Sequence, residues 1–273
     1  MSTLSNLAHP LGIGTWRMGE APSRSAQEIA AIRASLDLGL VLIDTAEMYA
    51  DGGSEELVGE AIRGRRDGCF LVSKVLPQHA APAAMKSACE RSLRRLGTDV
   101  IDLYLLHWRG NLPLAQTVEG FQALVAAGRI RHWGVSNFDL ADMRELAALP
   151  GGDECLVNQV YYSLSERGIE FELKPWTDQR DIATMAYCPL DEGRLPRHPG
   201  LQALADGYGA SAAQLAIAWL LSRGRTLPIP MTTSPERAAE NAAALNLSLS
   251  AKTLAAIDLL FPAPDGKTRL KIV

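Results

Sequence analysis

The sequence of 273 residues contains few cysteines and no long apolar run. Its four cysteines, Cys69, Cys89, Cys155 and Cys188, include no C-x-x-C pair. This low density argues against a disulfide framework and predicts buried thiols in a reducing compartment. The longest apolar stretch, Ala212–Leu221, is about half of the ~18 residues that suggest a membrane-spanning helix. We therefore expect a cytoplasmic protein without a membrane partner.

Basic residues are not in excess either, because 27 lysines and arginines stand against 31 acidic residues, for a net charge of −4. A mildly acidic protein has no electrostatic reason to bind nucleic acid or anionic membranes. Met1–Pro10 lacks a basic segment followed by an apolar run, so no signal peptide is expected. Neither H-x-H nor H-E-x-x-H occurs, so we expect no metal. The expected partner is a small-molecule substrate, and the expected state is a monomer or a weak oligomer.

Eight short segments rich in branched apolar residues recur along the chain. Most begin about 30 residues after the previous one, which is the length of a strand–helix unit. Eight such units predict an α/β fold of the (β/α)₈ TIM-barrel type, formed as a single domain over residues 1–273. The predicted strands are Leu11–Trp16, Leu40–Asp44, Cys69–Lys74, Ile101–His107, Ile130–Ser136, Cys155–Gln159, Ile182–Tyr187 and Thr226–Pro230.

The segments between these strands are mostly typical of helices. Apolar spacing, serine or proline at the start and glycine after the end mark them. The longest interval leaves Cys188–Ala210 as a loop, which a barrel would present on its catalytic face. No G-x-G-x-x-G follows the first strand, which disfavours a doubly wound sheet. The predicted helices are Ser25–Leu38, Pro82–Leu96, Leu114–Ala127, Ser211–Leu221, Ser234–Leu245 and Ser250–Leu260.

Most of the predicted strands end at a titratable or amide side chain. In a (β/α)₈ barrel the active site forms at these carboxyl ends, so the pattern predicts one shared site. The ends read Gly14-Thr15-Trp16, Asp44-Thr45, Ser73-Lys74, His107-Trp108-Arg109, Ser136-Asn137, Asn158-Gln159, Ala186-Tyr187 and Pro230-Met231-Thr232.

Three of these strand-end residues, Asp44, Lys74 and His107, form a chemically coherent group with Tyr49, which lies just beyond the end of the second strand. A buried ammonium needs a carboxylate partner, which Asp44 can supply to Lys74. An ammonium beside the Tyr49 phenol is expected to lower its pKa and make it a usable acid. A neutral imidazole at His107 can hold a carbonyl oxygen. The group predicts proton donation to a carbonyl oxygen.

Ordered motifs along the chain resemble those of the aldo-keto reductases. They run from about residue 11 to residue 241, which is most of the chain. The motifs are Gly12–Trp16, Asp44–Tyr49 with Gly53–Glu55, Ser73-Lys74, Leu103–Trp108, Gly134–Phe138, Asn158–Tyr161, Ala186–Leu190, and Ile229-Pro230 with Pro235–Arg237 and Glu240-Asn241.

The resemblance implies hydride transfer from a nicotinamide cofactor to an aldehyde or ketone. By resemblance Tyr49 is the proton donor, Lys74 lowers its pKa, Asp44 pairs with Lys74 and His107 orients the carbonyl. The implied cofactor-binding residues are Gly14, Thr15, Trp16, Asp44, Ser136, Asn137, Gln159, Tyr187, Cys188, Pro189, Leu190, Thr232, Arg237, Glu240 and Asn241. The implied substrate-binding residues are Trp16, Met48, His107, Trp108 and Arg109.

Within the family the chain resembles bacterial reductases of small 2-oxoaldehydes such as methylglyoxal. Cys188 stands where the family often has serine, and Met231 where many members have lysine or glycine. Arg237 remains as a cation for the 2′-phosphate, so we expect NADPH as cofactor with NADH possible. Arg109, where many members have proline, is a hypothetical contact for an acidic substrate group. The sequence ends soon after Leu260, which predicts an open site.

Two other functions stay open from the residues. A lysine at a strand end of a barrel is also how Schiff-base lyases are built, so Lys74 is a candidate for such chemistry. A nucleotide-binding sensor with little turnover is the second alternative. A lyase would not need the residues that the resemblance assigns to the nicotinamide. A sensor would not need the group of Asp44, Tyr49, Lys74 and His107.

Overall fold

The structure is a computed structural model that describes residue 4 and residues 9–273. Most of Met1–Pro10, where no signal peptide was expected, lies outside the described residues. Eight parallel strands form one sheet in the order β1 to β8. Gly14 also bridges Met231 in parallel, and its N–H donates to Pro230 O at 3.2 Å, which joins the two edges of the sheet. The (β/α)₈ barrel is confirmed. The strands are β1 (Gly12–Gly14), β2 (Leu42–Asp44), β3 (Phe70–Val75), β4 (Ile101–Leu106), β5 (Ile130–Ser136), β6 (Val157–Tyr161), β7 (Ala183–Tyr187) and β8 (Thr226–Pro228).

The bounds of β5 are those predicted, whereas β6 begins and ends two residues later than predicted. A 3-10 turn at Gly152–Glu154 accounts for the late start, because the Cys155 N–H donates to Gly152 O and so stays out of the sheet. At the other end Tyr161 still pairs with Tyr187 of β7. Gln159 is therefore inside the strand, where its position is rigid.

Helices α1 to α10 fill the intervals, and local end signals fix several of their bounds. Helix α3 ends at Leu96, and the Gly97 that follows has a φ of +64°, which favours glycine. Ser211, Ser234 and Ser250 each cap a helix by accepting a backbone N–H. The helices are α1 (Ser25–Asp37), α2 (Gly53–Ala61), α3 (Pro82–Leu96), α4 (Leu114–Ala126), α5 (Leu140–Ala147), α6 (Leu173–Asp178), α7 (Pro199–Asp206), α8 (Ala212–Leu221), α9 (Pro235–Ala243) and α10 (Ala251–Leu260).

The segment Cys188–Ala210 is not the unbroken loop that was predicted. It contains two 3-10 turns, Asp191–Gly193 and Leu195–Arg197, followed by α7. Pro199 opens this helix, and His198 Nδ1 accepts the N–H of Leu201. The imidazole therefore caps this helix in the way that serine caps the predicted ones.

Apolar side chains fill the barrel below its catalytic end. They form a separate cluster from the larger one that packs the strands against the helices. Because side chains alternate across a strand, the next inward position above this cluster falls on the strand ends. Among the described residues, no helix is long and apolar enough to span a membrane. The inner cluster is Leu42, Phe70, Val72, Leu103, Leu105, Val157, Ala183, Met185, Leu227 and Ile229.

Candidate active site

Strand alternation brings the polar strand ends together. Asp44 follows Leu42 by two residues, and Gln159 follows Val157 in the same way, so both continue the inward face. Ser73 and Asn158 occupy the intervening positions and turn outward, where Ser73 donates to Glu55 and Asn158 to Phe138 O. The inward residues at this level are Asp44, Lys74, His107, Ser136, Gln159 and Tyr187.

The Lys74 side chain is fully buried, and its ammonium group donates hydrogen bonds to three oxygen atoms. Its Nζ donates to Asp44 Oδ2 at 2.8 Å, to Thr45 O at 2.9 Å and to the Tyr49 hydroxyl at 3.0 Å. The three donors of the ammonium are thus all used. The structure brings together the lysine, carboxylate and phenol that the sequence analysis grouped.

The electrostatics of this group differ in one respect from the sequence expectation. Burial works against the Lys74 ammonium, but Asp44 and Tyr49 outweigh it and raise the pKa of Lys74 above its ordinary value. Burial raises the pKa of Tyr49, and the neighbouring Lys74 only partly offsets this effect. The expectation that the pKa of Tyr49 lies below its ordinary value is therefore wrong for the protein alone. Desolvation of the phenolate is the reason.

A lysine in this state does not fit a Schiff-base lyase. Such an enzyme needs an exposed, neutral amine whose pKa is depressed. The Lys74 side chain is 0% exposed, and its pKa is raised. The geometry instead suits a fixed positive charge beside the Tyr49 hydroxyl.

His107 stands next to Tyr49 as a neutral imidazole. The two rings meet edge to face with centroids 5.7 Å apart. Burial, with the nearby Lys74 charge, lowers the pKa of His107 to about 2. Its Nδ1 is buried and has no hydrogen-bond partner among the described residues. Since a buried acceptor without a partner is tolerated better than a buried donor, we assign the proton to Nε2.

An amide network links the other strand ends to these residues. Gln159 Nε2 donates to Asp44 Oδ1 at 2.7 Å, and Ser136 Oγ donates to Gln159 O at 2.9 Å. Asn137 donates to His107 O at 3.1 Å, and its Oδ1 accepts the Tyr187 hydroxyl at 2.8 Å. These side chains are therefore held in fixed orientations around one opening.

The opening is a cavity of about 640 Å³ that extends from Tyr49 to α9. Tyr49 and Met48 lie at one end, and Arg237 at the other. Of the predicted residues, the cavity wall contains Gly14, Trp16, Asp44, Met48, Tyr49, His107, Ser136, Asn137, Gln159, Tyr187, Cys188, Pro189, Leu190, Thr232, Arg237, Glu240 and Asn241.

Three residues predicted to contact ligands lie outside the wall that the described residues form: Thr15, Trp108 and Arg109. The Thr15 hydroxyl donates to Asp44 O at 3.0 Å and lies 2.8 Å from Ser54 Oγ, so it supports the chain beneath the site. Trp108 packs against His107, with ring centroids 5.0 Å apart.

Among the described residues, Arg109 is held by its own loop and by α5 and does not line the cavity. Its guanidinium donates to Gly110 O at 2.5 Å and to Leu112 O at 2.8 Å. It also reaches Glu145 of α5 at 3.2 Å, and Asp142 lies 3.9 Å away. Loop carbonyls and acidic groups of α5 thus already engage this side chain, so the structure gives no support to the hypothesis of an acidic-substrate contact.

Several cavity residues were missed by the sequence analysis. Arg17 follows the predicted Trp16 and lies over its ring at 4.5 Å, so its position next to a motif was a usable signal. The C-terminal residue Val273 lies on the wall, and Lys271 O is 3.5 Å from the Tyr187 hydroxyl. The expected open site is thus partly covered by this segment, for which the sequence carried no signal. The other missed residues are Glu192, Gly193, Pro196, Arg197 and Ala213. Ile229, Pro230 and Met231, which the sequence analysis named without assigning them a ligand contact, also line the cavity.

The far end of the cavity combines a helix start with a cation. Ser234 caps α9 by accepting the Arg237 N–H at 3.3 Å, and the Arg237 side chain lines the cavity. The Met231 side chain is 43% exposed beside them and carries no charge. A cation at a helix start suits phosphate, and fixed amides beside Tyr187 suit a planar amide ring, so the residues fit a nicotinamide dinucleotide.

Comparisons with known proteins agree with this geometry. Residues 10–261 match the model of the aldo/keto reductase family. The chain is 49% identical to methylglyoxal reductase YeaE of Escherichia coli over 268 residues, which are 96% of this chain and 94% of that protein. A Klebsiella pneumoniae aldo/keto reductase, crystallised with NADP and acetate, is 52% identical with a TM-score of 0.95, over 97% of this chain and 95% of that one. The aldo-keto reductase Tm1743, crystallised with the inhibitor epalrestat, is 33% identical with a TM-score of 0.85, over 92% and 95%.

Proposed function

Since the chain belongs to the aldo/keto reductase family, we propose that it reduces small aldehydes, including 2-oxoaldehydes such as methylglyoxal, with Tyr49 as proton donor. It is an oxidoreductase that uses NADPH to reduce carbonyl groups. The observation that carries the proposed role is the hydrogen bond of 3.0 Å between Lys74 Nζ and the Tyr49 hydroxyl, beside a neutral His107.

When bound, the reduced nicotinamide supplies a hydride to the carbonyl carbon. Ser136, Asn137 and Gln159 would hold its carboxamide, and Tyr187 would stack on its ring. The carboxylate of Asp44 only accepts hydrogen bonds, so it turns the Gln159 amide group with Nε2 toward itself. Gln159 Oε1 is then the atom that can accept a carboxamide N–H.

His107 and Tyr49 act on the carbonyl oxygen. The His107 Nε2–H donates to that oxygen and orients it, and the imidazole stays neutral because of its low pKa. The Tyr49 hydroxyl transfers its proton to the oxygen as the carbon gains the hydride, so the product is an alcohol. Tyr49 starts fully protonated, and Lys74 stabilises the phenolate that remains until solvent returns a proton.

The adenosine end decides between the two nicotinamide cofactors. Arg237 can make a forked contact with a 2′-phosphate, and the start of α9 favours an anion as well. Thr232, Glu240 and Asn241 complete this end of the cavity. We expect NADPH to be preferred and NADH to work at higher concentration, because Met231 adds no second charge.

The substrate end favours small carbonyl compounds. Trp16, Met48 and Val273 supply apolar surface around the polar pair of Tyr49 and His107. The similarity to YeaE, which is named a methylglyoxal reductase, supports a 2-oxoaldehyde as substrate. We further propose that the protein works in the cytoplasm as a monomer or weak oligomer.

The test is the loss of NADPH absorbance with a panel of aldehydes and ketones. Methylglyoxal should give a higher kcat/KM than bulky aromatic aldehydes, and NADPH should give a higher value than NADH. The Tyr49→Phe protein is the matched control, since it keeps the cavity but lacks the acid. A full rate with Tyr49→Phe would contradict the proposed acid, and turnover of bulky ketones alone would contradict the proposed substrate class.

A further inference from the structure

The Glu47 side chain attaches the turn that carries Tyr49 to the end of β3. The Glu47 N–H donates to Lys74 O at 3.3 Å, which continues the parallel pairing of β2 with β3. In unbroken parallel pairing, the next N–H on β3 would find a main-chain carbonyl. Here the Leu76 N–H instead donates to Glu47 Oε1 at 2.9 Å. The Glu47 carboxylate thus replaces one main-chain acceptor of the sheet, so the backbone after Glu47 can leave the sheet.

The surroundings of Glu47 hold the carboxylate in this place. The side chain is only 5% exposed, and the same Oε1 lies 2.9 Å from His79 Nδ1. The Arg91 guanidinium approaches the second oxygen at 3.7 Å. Hydrogen bonds from backbone N–H groups to a charged acceptor are among the stronger ones in proteins. The link between the turn and β3 is therefore stiff.

This link joins the same two segments as the catalytic hydrogen bond. Tyr49 lies two residues after Glu47, and Lys74 lies two residues before Leu76. The chain beyond Tyr49 stores strain, because Ala50 and Asp51 have φ values of 51° and 52°. Strained backbone persists only where its surroundings hold it. Without an anchor before Tyr49, the turn can relax and carry the phenol away from Lys74.

We propose that Glu47 is a positioning residue, which holds the Tyr49 hydroxyl within hydrogen-bonding distance of Lys74. The inference rests on the proposed role of Tyr49 as the acid. It assigns a function to a carboxylate that takes no part in proton transfer, since Glu47 is bonded to β3 and its loop. The cofactor half of the cavity is independent of this link.

The first experiment compares Glu47→Gln and Glu47→Ala with the wild type. Glutamine keeps an acceptor oxygen but loses the charge, so kcat should fall about tenfold, and alanine should cost more. The Kd for NADPH, measured by quenching of protein fluorescence, should stay within about twofold of the wild-type value. Glu56→Gln, an exposed change on α2, is the matched control and should leave both quantities unchanged.

The pH profile separates positioning from loss of folded protein. The Lys74 charge lowers the pKa of Tyr49, so a longer Lys74–Tyr49 distance should raise the pKa of Tyr49. The basic limb of the profile, where kcat falls because Tyr49 loses its proton, should then move to higher pH. A smaller active fraction would instead scale kcat and leave the limb in place. A drop in kcat with an unmoved limb would overturn the proposal.

A double-mutant cycle distinguishes failure of this inference from failure of the proposed acid. If Glu47 acts through Tyr49, adding Glu47→Gln to Tyr49→Phe should cause no further loss of the residual rate. An equal loss in both backgrounds would show that Glu47 acts elsewhere. Near-normal turnover of Tyr49→Phe alone would reject the acid, and a tenfold effect of Glu47→Gln in that background would reject the positioning role independently.

Discussion

Gln159 and Asp44, 115 residues apart in the chain, share a hydrogen bond of 2.7 Å between Nε2 and Oδ1. Asp44 also accepts from Lys74 through its other oxygen. One buried carboxylate thus connects the amide group proposed to hold the nicotinamide with the lysine beside the proposed acid. A substitution at Gln159 should therefore affect Lys74 through Asp44, and a substitution at Lys74 should affect Gln159.

Replacing Gln159 by glutamate should test this connection. The introduced side chain would face Asp44 as a second carboxylate, and like charges so close raise the pKa of one of them. We expect Gln159→Glu to lower the free energy of unfolding at pH 7 and to recover part of it at pH 5, as the new carboxyl takes a proton. Urea unfolding at the two pH values measures this, with Gln159→Met as the uncharged control. Equal losses at both pH values would contradict the close pairing.

The change Tyr49→Phe should remove the proton donor and little else. Turnover should fall by about 10²–10⁴-fold, the usual contribution of general acid catalysis, while the Kd for NADPH stays near its wild-type value. Steady-state rates and a fluorescence titration supply the two numbers. A weakened Kd with a near-normal kcat would place Tyr49 in cofactor binding instead.

Lys74→Met should be nearly inactive for a different reason. The Tyr49 phenolate would lose its stabilising charge, and buried Asp44 would lose its ammonium partner. Breaking one side of a buried ion pair costs about 3–5 kcal/mol of stability. The double change Lys74→Met with Asp44→Asn should recover stability but not turnover. Thermal unfolding and kcat test both parts, and recovery of activity in the double variant would speak against the role of Lys74.

Cofactor preference should depend on Arg237. Loss of one charge-assisted contact is worth about 1.5–3 kcal/mol, or roughly ten- to 150-fold in affinity. Arg237→Ala should therefore weaken NADPH strongly and NADH little, whereas Met231→Lys should widen the preference for NADPH. Titration of both cofactors against the two variants and the wild type gives the comparison. The phosphate assignment fails if Arg237→Ala weakens both cofactors equally.

The low pKa of His107 predicts a specific dependence of stability on pH. In the unfolded chain the imidazole binds a proton below about pH 6.5, but in the folded protein its pKa is about 2. Between these two pH values the unfolded state binds more protons than the folded state. The contribution of His107 to the unfolding free energy therefore falls as the pH falls. The expected slope is up to about 1.4 kcal/mol per pH unit. His107→Gln should flatten it in urea unfolding between pH 5 and pH 7. An unchanged slope would mean that the folded imidazole is charged.

The sequence alone determined the barrel and most of its site. Eight apolar segments at a mostly regular spacing predicted eight strands, and the polar residues that end most of them predicted one site. Both signals are local in the chain, because strand alternation and strand–helix length depend on near neighbours. Asp44, Lys74, His107 and Gln159 were found in this way, with Tyr49 just beyond the second strand, and the ordered motifs supplied Arg237.

Only the tertiary structure decided the pKa values of the site and the contacts that hold its residues in place. The pKa of Tyr49 rises because burial outweighs Lys74, and burial depends on every element packed around the phenol. Arg109 lies outside the cavity wall because α5 offers it carboxylates, and Glu47 anchors the Tyr49 turn because it accepts the Leu76 N–H just after β3. These contacts join residues far apart in the chain. These contacts therefore depend on how the strand–helix units pack together, and no local sequence pattern predicts them.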